Sequence, residues 1–128
     1  MTQPIELEIG PAHASHIERY VAFARAAPVA FFALGDASPW WSDGRDALYL
    51  SGIVVDRAQR GHGVGRAIVA WAVDRARARR AQVLRLDCHS GNRWLRDYYE
   101  RLGFVERARI EQHPGYTGCL YERLVEHD

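Results

Sequence analysis

The sequence predicts a single mixed α/β domain in which strands and helices alternate along 128 residues. Three observations indicate this fold class. Short apolar or alternating segments of strand length recur along the chain, three segments carry apolar residues at helical spacing, and a glycine cluster joins a strand to a long helix. A chain of this length builds one hydrophobic core, so we expect one domain over residues 1–128.

The composition is that of a soluble globular protein, with 48% hydrophobic and 26% charged residues. Seventeen basic and sixteen acidic residues leave a net charge of +1, which does not favour nucleic acid or an anionic membrane surface as a partner. No apolar run approaches the roughly 20 residues that span a bilayer, and the first ten residues do not resemble a signal peptide. We therefore expect a cytoplasmic protein.

The front of the chain predicts a strand and then a helix. Residues Ile5–Ile9 alternate between apolar and acidic, which is typical of a half-buried strand. Ser15 and Glu18 form a capping-box pattern, and apolar residues follow at helical spacing, so a first helix is expected to end near Ala26. These apolar residues are Ile17, Tyr20, Val21 and Ala24.

Two strands and a loop come next. Pro28–Leu34 is an apolar run of strand length, and Gly35–Asp46 is rich in the residues that form turns, which predicts a hairpin-like loop. Ala47–Val55 is almost continuously apolar and suits a central strand that is covered on both faces.

The second half predicts two helices between strands. Apolar residues lie on one face of a long helix from Val64 to about Arg80, and a second helix over Asn92–Leu102 ends at the capping glycine Gly103. The remaining strands are Val83–Cys88, Phe104–Gln112 and Cys119–Val125. The two cysteines, Cys88 and Cys119, have no metal-like spacing and are expected to be free, partly buried thiols or to meet between neighbouring strands.

The glycine-rich loop Arg60–Arg66 opens the long helix and is suited to phosphate. A helix N-terminus offers unpaired N–H groups and partial positive charge, and glycines let a phosphate approach the backbone. A P-loop would need Lys-Ser or Lys-Thr where Arg66-Ala67 stands. A dinucleotide fingerprint has a wider glycine spacing and an acidic residue about 20 positions on, for which the chain offers only Asp87. A glycine turn that only packs a helix on a strand remains the alternative.

The pattern Arg60-Gly61-x-Gly63-x-Gly65 resembles the acyl-CoA signature of the GNAT superfamily of N-acetyltransferases. A second stretch, from Asn92 through Tyr99 to Gly103-Phe104, is similar to the helix that follows in that family. Together the two matches span about residues 47–105. The resemblance implies a GNAT-like acyl-CoA N-acyltransferase fold, with a central mixed β-sheet flanked by helices, and acetyl-CoA as co-substrate.

The resemblance also implies roles for individual residues. Tyr99 would protonate the departing thiolate, and Asn92 would contact the pantetheine arm. The neighbouring Tyr98 points elsewhere on the helix and is expected in the core or on the helix flank. Backbone groups of the strand would bind pantetheine at Ile53, Val54 and Val55. The pyrophosphate would be held by Arg60, Gly61, His62, Gly63, Val64, Gly65 and Arg66, with His62 and Val64 contributing only their backbones.

The general base and the acceptor site are less defined. Family members often place Glu or His on the strand before the loop, where this chain has Ser51, so the candidates are Asp87, His89 or a water relay. Trp40 and Trp41 are candidates to hold an amine-bearing substrate by stacking or cation–π contact. Cys88 at a strand end leaves a covalent route open.

The front is shorter than in the family, which commonly has a second helix and a further strand before Pro28–Leu34. We expect an open acceptor cleft, completion by a partner subunit, or lost turnover. The Pro28–Leu34 strand would then lie near an exposed edge, which a homodimer would cover. His13 and His16 share a helix face without a third ligand, so no metal site is predicted.

The function predicted is direct transfer of an acetyl group from acetyl-CoA to a primary amine, on a small molecule or a peptide, in a ternary complex. One alternative is a catalytically degenerate acyl-CoA-binding sensor or scaffold. The other is a protein or peptide acetyltransferase, including one that acts on charged tRNA, although the near-neutral charge makes nucleic acid an unfavoured partner.

Overall fold

A computed structural model describes residues 5–13, 18–25 and 27–127. Within these ranges, seven strands form one sheet and two α-helices pack against it. The strands are β1 Glu8–His13, β2 Glu18–Ala24, β3 Ala27–Gly35, β4 Ala47–Val55, β5 Val83–His89, β6 Val105–His113 and β7 Tyr116–Leu124. The helices are α1 Val64–Ala78 and α2 Arg93–Arg101, and a single 3-10 turn covers Arg57–Gln59.

The strand order across the sheet is β1-β2-β3-β4-β5-β7-β6. Strands β1 to β4 form an antiparallel meander, β4 and β5 are parallel, and β7 is antiparallel to both β5 and β6. The parallel pair requires a crossover connection, which α1 supplies. The mixed sheet with flanking helices confirms the predicted fold class.

Both helices lie on one face of the sheet, which we call the helix face. Trp71 of α1 packs its ring against Tyr20 of β2 and Phe32 of β3, with ring centres 4.8 and 5.5 Å apart. On α2 the ring of Tyr99 packs near Tyr121 of β7. Because alternate residues of a strand point to opposite faces, Leu84, Leu86 and Cys88 of β5 also point to the helix face.

The opposite face carries a buried charge, and we call it the loop face. Arg85 of β5 points to this face and is fully buried. Residues 36–46, the loop between β3 and β4, cover it with the side chains of Trp41 and Asp43. The next residues of β5 on this face are Asp87 and His89.

The predicted first helix is wrong. Glu18–Ala24 forms strand β2, in which Tyr20 and Ala22 are buried while Arg19 is exposed. Aromatic and β-branched residues favour a strand, and pairing on both sides of β2 overrides the helical spacing. Ser15, His16 and Ile17 lie outside the described residues, so the proposed cap and the His13–His16 pair are not described.

The described part of the chain before β4 lacks the expected helices but contains the strand that was expected to be missing. In the described part of the chain no helix precedes β4, whereas β2 supplies the strand that we expected to be absent. Strand β3 pairs with β2 and β4, so the expectation that Pro28–Leu34 lies near an edge is also wrong. The edge strands are β1 and β6. Strand β1 continues through Pro11 because an edge tolerates a residue without an N–H donor.

Candidate active site

Strands β4 and β5 separate after three paired positions. Their pairing ends at Tyr49 and Arg85, although β4 continues to Val55 and β5 to His89. Beyond this point β4 remains paired only with β3, and β5 only with β7. A gap therefore opens through the sheet, with backbone groups of both strands along its edges.

A bulge in β4 contributes to this separation. Gly52 has a φ of +60°, and the register with β3 shifts between Phe31 and Ala33. A bulge bends its strand and redirects side chains. Ile53 is brought to the gap, and the Val54 side chain is 62% exposed.

The gap forms a cavity of about 300 Å³ that both faces of the sheet line. Its lining residues are Leu50, Ser51, Gly52, Ile53, Leu86, Asp87, Cys88, His89, Asn92, Leu95, Tyr99 and Tyr116. Tyr99, Asn92 and Leu95 come from α2 on the helix face, whereas Asp87 and His89 point to the loop face. Side chains from both faces of the sheet therefore meet at this cavity.

Tyr99 is the most buried group of α2 and lines this cavity. Its ring is held by Tyr98 and Phe104 in edge contacts with ring centres 5.6 and 5.8 Å away. Burial raises the pKa of Tyr99 to about 12. The phenol therefore stays protonated at neutral pH and can donate a hydrogen bond or a proton into the cavity.

Cys88 lies in the same buried surroundings. Burial raises the pKa of its thiol to about 11, and Cys119 faces it from β7 with a pKa raised to about 11 for the same main reason. Both cysteines are free and buried, which confirms the expected free thiols and also their meeting across neighbouring strands. A thiolate is strongly disfavoured at this place.

Asn92 caps α2 and lines the cavity. Its Oδ1 accepts a hydrogen bond from the Leu95 N–H at 3.0 Å. The cap fixes the side chain and leaves the Nδ2 donors of the amide for another partner.

The two candidate bases differ in their surroundings. Asp87 is exposed, and its Oδ2 accepts a hydrogen bond from Gln112 Nε2 at 2.5 Å. The Nδ1 of His89 accepts a hydrogen bond from the Gly91 N–H at 3.0 Å, and the ring packs against Tyr116. A neutral histidine that accepts at Nδ1 carries its hydrogen at Nε2, so the Nδ1 lone pair of His89 is already engaged.

The loop Arg60–Arg66 presents an uncapped helix N-terminus. Gly61 and Gly63 both have a φ of +81°, and a Cβ on either would meet nothing within 4 Å. Gly63 is the N-cap without a side-chain hydrogen bond, and the first N–H bonded back to it is that of Ala67. The N–H groups of Val64, Gly65 and Arg66, in the first turn of α1, therefore remain available to an anion. Arg60, His62 and Arg66 are exposed around them, and Val64 is buried in the core.

Gly65 is required by packing between the helices. A Cβ at this position would lie 2.8 Å from the Tyr98 hydroxyl. Tyr98 is half-buried and stacks on Trp94, which confirms its expected place on the helix flank. The third glycine of the pattern thus sets how closely α1 approaches α2.

Trp40 and Trp41 lie in the loop on the loop face. The ring of Trp41 is covered by the Arg85 guanidinium, 3.8 Å from the ring centre. The Trp40 N–H donates to Ser38 Oγ at 3.3 Å, a contact within the loop. Neither tryptophan is among the residues that line the cavity.

Sequence reasoning missed part of the lining. The glycine inside an apolar strand run, Gly52, is a signal for a bulge that could have been used. Leu50, Leu86 and Leu95 look like any core residue in the sequence. Tyr116 reaches the cavity from the first position of β7, which only the sheet order brings beside β5.

A glycine-rich loop at an uncapped helix N-terminus, a gap between parallel strands and a buried phenol are features that suit transfer of an acyl group from a phosphate-bearing carrier. The sequence matches the model of the acetyltransferase (GNAT) family over residues 5–104. The chain belongs to this family. It is an acyltransferase of the acetyltransferase type.

Solved structures share this fold. A protein from Desulfovibrio desulfuricans, named as a GNAT-family acetyltransferase, superposes with a TM-score of 0.72 at 22% identity over 89% of this chain. Nourseothricin acetyltransferase superposes with a TM-score of 0.71, at 24% identity over 87% of this chain. A Bacillus anthracis protein named as a streptothricin acetyltransferase, in complex with acetyl coenzyme A, superposes with a TM-score of 0.73, at 20% identity over 88% of this chain. The chain covers 73%, 66% and 65% of these three structures.

No curated protein matches the sequence. Among the described residues, no helix has the length and apolar character needed to cross a membrane. In the same part of the chain, no group of three or more potential ligands is placed to hold a metal ion.

Proposed function

We propose that this protein transfers an acetyl group from acetyl-CoA directly to a primary amine while both are bound. The observation that carries the proposal is that Tyr99 and Asp87 line one cavity and belong to opposite faces of the sheet. Acetyl-CoA enters from the helix face and the amine from the loop face. The two reactants then meet in the gap between β4 and β5.

The helix face suits acetyl-CoA, which supplies an acetyl group activated as a thioester. The free N–H groups at the start of α1 bind its pyrophosphate, and Arg60 and Arg66 add positive charge. Unpaired backbone groups along Ile53–Val55 bind the pantetheine arm in the manner of an added strand, assisted by the Asn92 amide. A backbone N–H near Val54 or Val55 polarises the thioester carbonyl.

Asp87 acts as the general base on the loop face. An amine reaches the site as an ammonium, which the carboxylate attracts and then relieves of one proton. His89 is less suited to this step because its Nδ1 already accepts the Gly91 N–H. Its role is to pack against Tyr116 at the wall of the cavity.

Tyr99 completes the exchange as general acid. The amine nitrogen forms a bond with the acetyl carbon, the carbon–sulfur bond breaks, and the phenol proton passes to the sulfur. The second proton of the amine nitrogen leaves through water and restores the phenol. The raised pKa of Cys88 indicates that a bare thiolate is unfavourable here, so donation from Tyr99 aids departure.

The raised pKa of Cys88 also argues against a covalent route through its thiol. A cysteine nucleophile needs a lowered pKa, whereas burial raises that of Cys88 to about 11. Direct transfer in a ternary complex is the consistent mechanism.

Peptide amines are a second candidate class of acceptor. In the described part of the chain, no helix covers the loop face beside Asp87, so the approach suits an amine on a large molecule as well as on a small one. Trp41 already stacks on Arg85, and we therefore place acceptor recognition nearer Asp87 and Tyr116.

Calorimetric titration with acetyl-CoA tests the proposal, with CoA and NADH as controls, followed by a CoA-release assay on a panel of small amines and peptides. Binding of both coenzyme A species but not NADH, with acetylation of at least one amine, is the expected result. Binding without any acetylation would favour a sensor or scaffold. Lack of acetyl-CoA binding would refute the proposed site.

A further inference from the structure

Gln112 of β6 reaches Asp87 of β5 across an intervening strand. The sheet order places β7 between β5 and β6, so their backbones are separated by about 9–10 Å. The Gln112 Nε2 nevertheless lies 2.5 Å from Asp87 Oδ2. The amide must therefore pass over β7.

Gly118 of β7 allows this passage. A Cβ on Gly118 would lie 2.3 Å from Gln112 Oε1, 2.5 Å from Cδ and 2.9 Å from Nε2. The backbone of Gly118 is outside the left-handed region, so its conformation does not require glycine. Glycine weakens a strand interior, and here the amide above it supplies the reason for its presence.

The contact suits a carboxylate that is held in place without an ion pair. An arginine or lysine partner would add a full positive charge beside the carboxylate, whereas the Gln112 amide is neutral. Among the described residues, no ion pair involves Asp87. The amide holds Oδ2 and leaves Oδ1 for another partner in the cavity.

We propose that Gln112 is a positioning residue, which reaches over Gly118 to fix the Asp87 carboxylate toward the acceptor amine. This inference rests on the proposed function, in which Asp87 is the base. Gln112 and Gly118 therefore affect the amine half of the reaction and not the binding of acetyl-CoA.

Steady-state kinetics of Gln112→Leu and Gly118→Ala test the proposal, because the first removes the donor and the second displaces it. Both variants are expected to lower kcat/KM for the amine on the order of 10- to 100-fold, with the Kd for acetyl-CoA within about twofold. Gly10→Ala is the matched control, since a Cβ there meets nothing within 4 Å. It is expected to behave as wild type.

The double variant Asp87→Asn/Gln112→Leu separates positioning from a structural role. If Gln112 acts through Asp87, Gln112→Leu causes no further loss in the Asp87→Asn background. An equal loss in both backgrounds, or unchanged amine kinetics in Gln112→Leu, would overturn the proposal.

The side-chain amide resonance of Gln112 gives a readout without turnover. In ¹⁵N-labelled protein it is expected to move in Asp87→Asn and to stay in place in Gly10→Ala. An unmoved resonance would refute the contact by itself. A wild type that acetylates no amine would instead refute the proposed function, and the assigned role with it.

Discussion

The guanidinium carbon of Arg85 lies over the ring of Trp41, 3.8 Å from its centre, although Trp41 belongs to a loop that precedes β4. Arg85 also donates to Tyr49 Oη at 3.0 Å and forms ion pairs with Asp43 and Glu122. Arg85 and Tyr49 are the last residues at which β5 and β4 pair with each other. One buried cation thus fastens the loop to the sheet at the base of the candidate active site.

Glu122→Gln is expected to destabilise the fold by about 3 kcal/mol, because it leaves Arg85 buried with a weaker partner. Glu122 is itself 4% exposed and also meets Arg45 and Arg107, so three cations lose one carboxylate. Urea unfolding measures the change. Asp74→Asn removes an exposed pair with Arg77 and should cost less than about 1 kcal/mol. Equal losses in the two variants would show that Glu122 is not the centre of the cluster.

Most of the fold was predictable because the spacing of apolar residues along the sequence indicates which face of each element is buried. The helices over Val64–Ala78 and Arg93–Arg101 were placed within two residues, since their apolar stripes face the sheet and glycines lie beside their ends. Strand β2 could not be predicted, because Tyr20 and Val21 fit the spacing of a helix as well as that of a strand. Only pairing with β1 and β3 decides between helix and strand.

The candidate site was predictable where it is local. The glycine-rich loop Arg60–Arg66 and Tyr99 lie in segments whose residue spacing carries the pattern. The link between Gln112 and Asp87 depends on which strand lies between β5 and β6. The sequence offers no signal for that order, and Gly118 alone does not indicate what crosses it.

Gly65→Ala is expected to weaken acetyl-CoA binding roughly tenfold, because its Cβ would force α1 and α2 apart and move the phosphate loop. The obstacle is one atom, the Tyr98 hydroxyl at 2.8 Å, since the next ring atom is 3.6 Å away. Tyr98→Phe should therefore restore affinity when combined with Gly65→Ala. Calorimetry on the single and double variants measures this, and a double variant as weak as Gly65→Ala would refute the packing argument.

Gly63→Glu is expected to abolish acetyl-CoA binding, because its carboxylate would lie at the uncapped N-terminus of α1 and repel the pyrophosphate. Gly44→Glu is the control for backbone strain. Both glycines have positive φ, +81° and +72°, and a Cβ on either meets nothing within 4 Å. Gly44→Glu should keep wild-type affinity in the same titration. If both variants bind acetyl-CoA normally, the loop does not hold the pyrophosphate.

Stability is expected to fall as the pH rises from about 9 to 11. Burial raises the pKa of the Cys88 and Cys119 thiols from 9.0 to about 11, so in this window the unfolded chain loses protons that the folded chain retains. The free energy of unfolding therefore decreases as the pH rises. Urea midpoints at pH 8, 9.5 and 10.5 measure this dependence of stability on pH. The double variant Cys88→Ala/Cys119→Ala should be less stable at pH 8, because removing the two sulfur atoms leaves cavities in the core. Its stability should nevertheless decrease less steeply with pH. An unchanged slope would contradict the assignment to the thiols.

Tyr99→Phe is expected to lower kcat on the order of 100-fold or more while the Kd for acetyl-CoA changes less than about twofold. The ring contacts with Tyr98 and Phe104 survive this substitution, so only the proton donor is removed. Tyr98→Phe is the matched control, because the same hydroxyl is lost one position away, against Gly65 and outside the cavity lining. Stopped assays of CoA release give kcat, and calorimetry gives Kd. Equal turnover in the two variants would remove Tyr99 as the acid, and the thiolate would then have to take its proton from water.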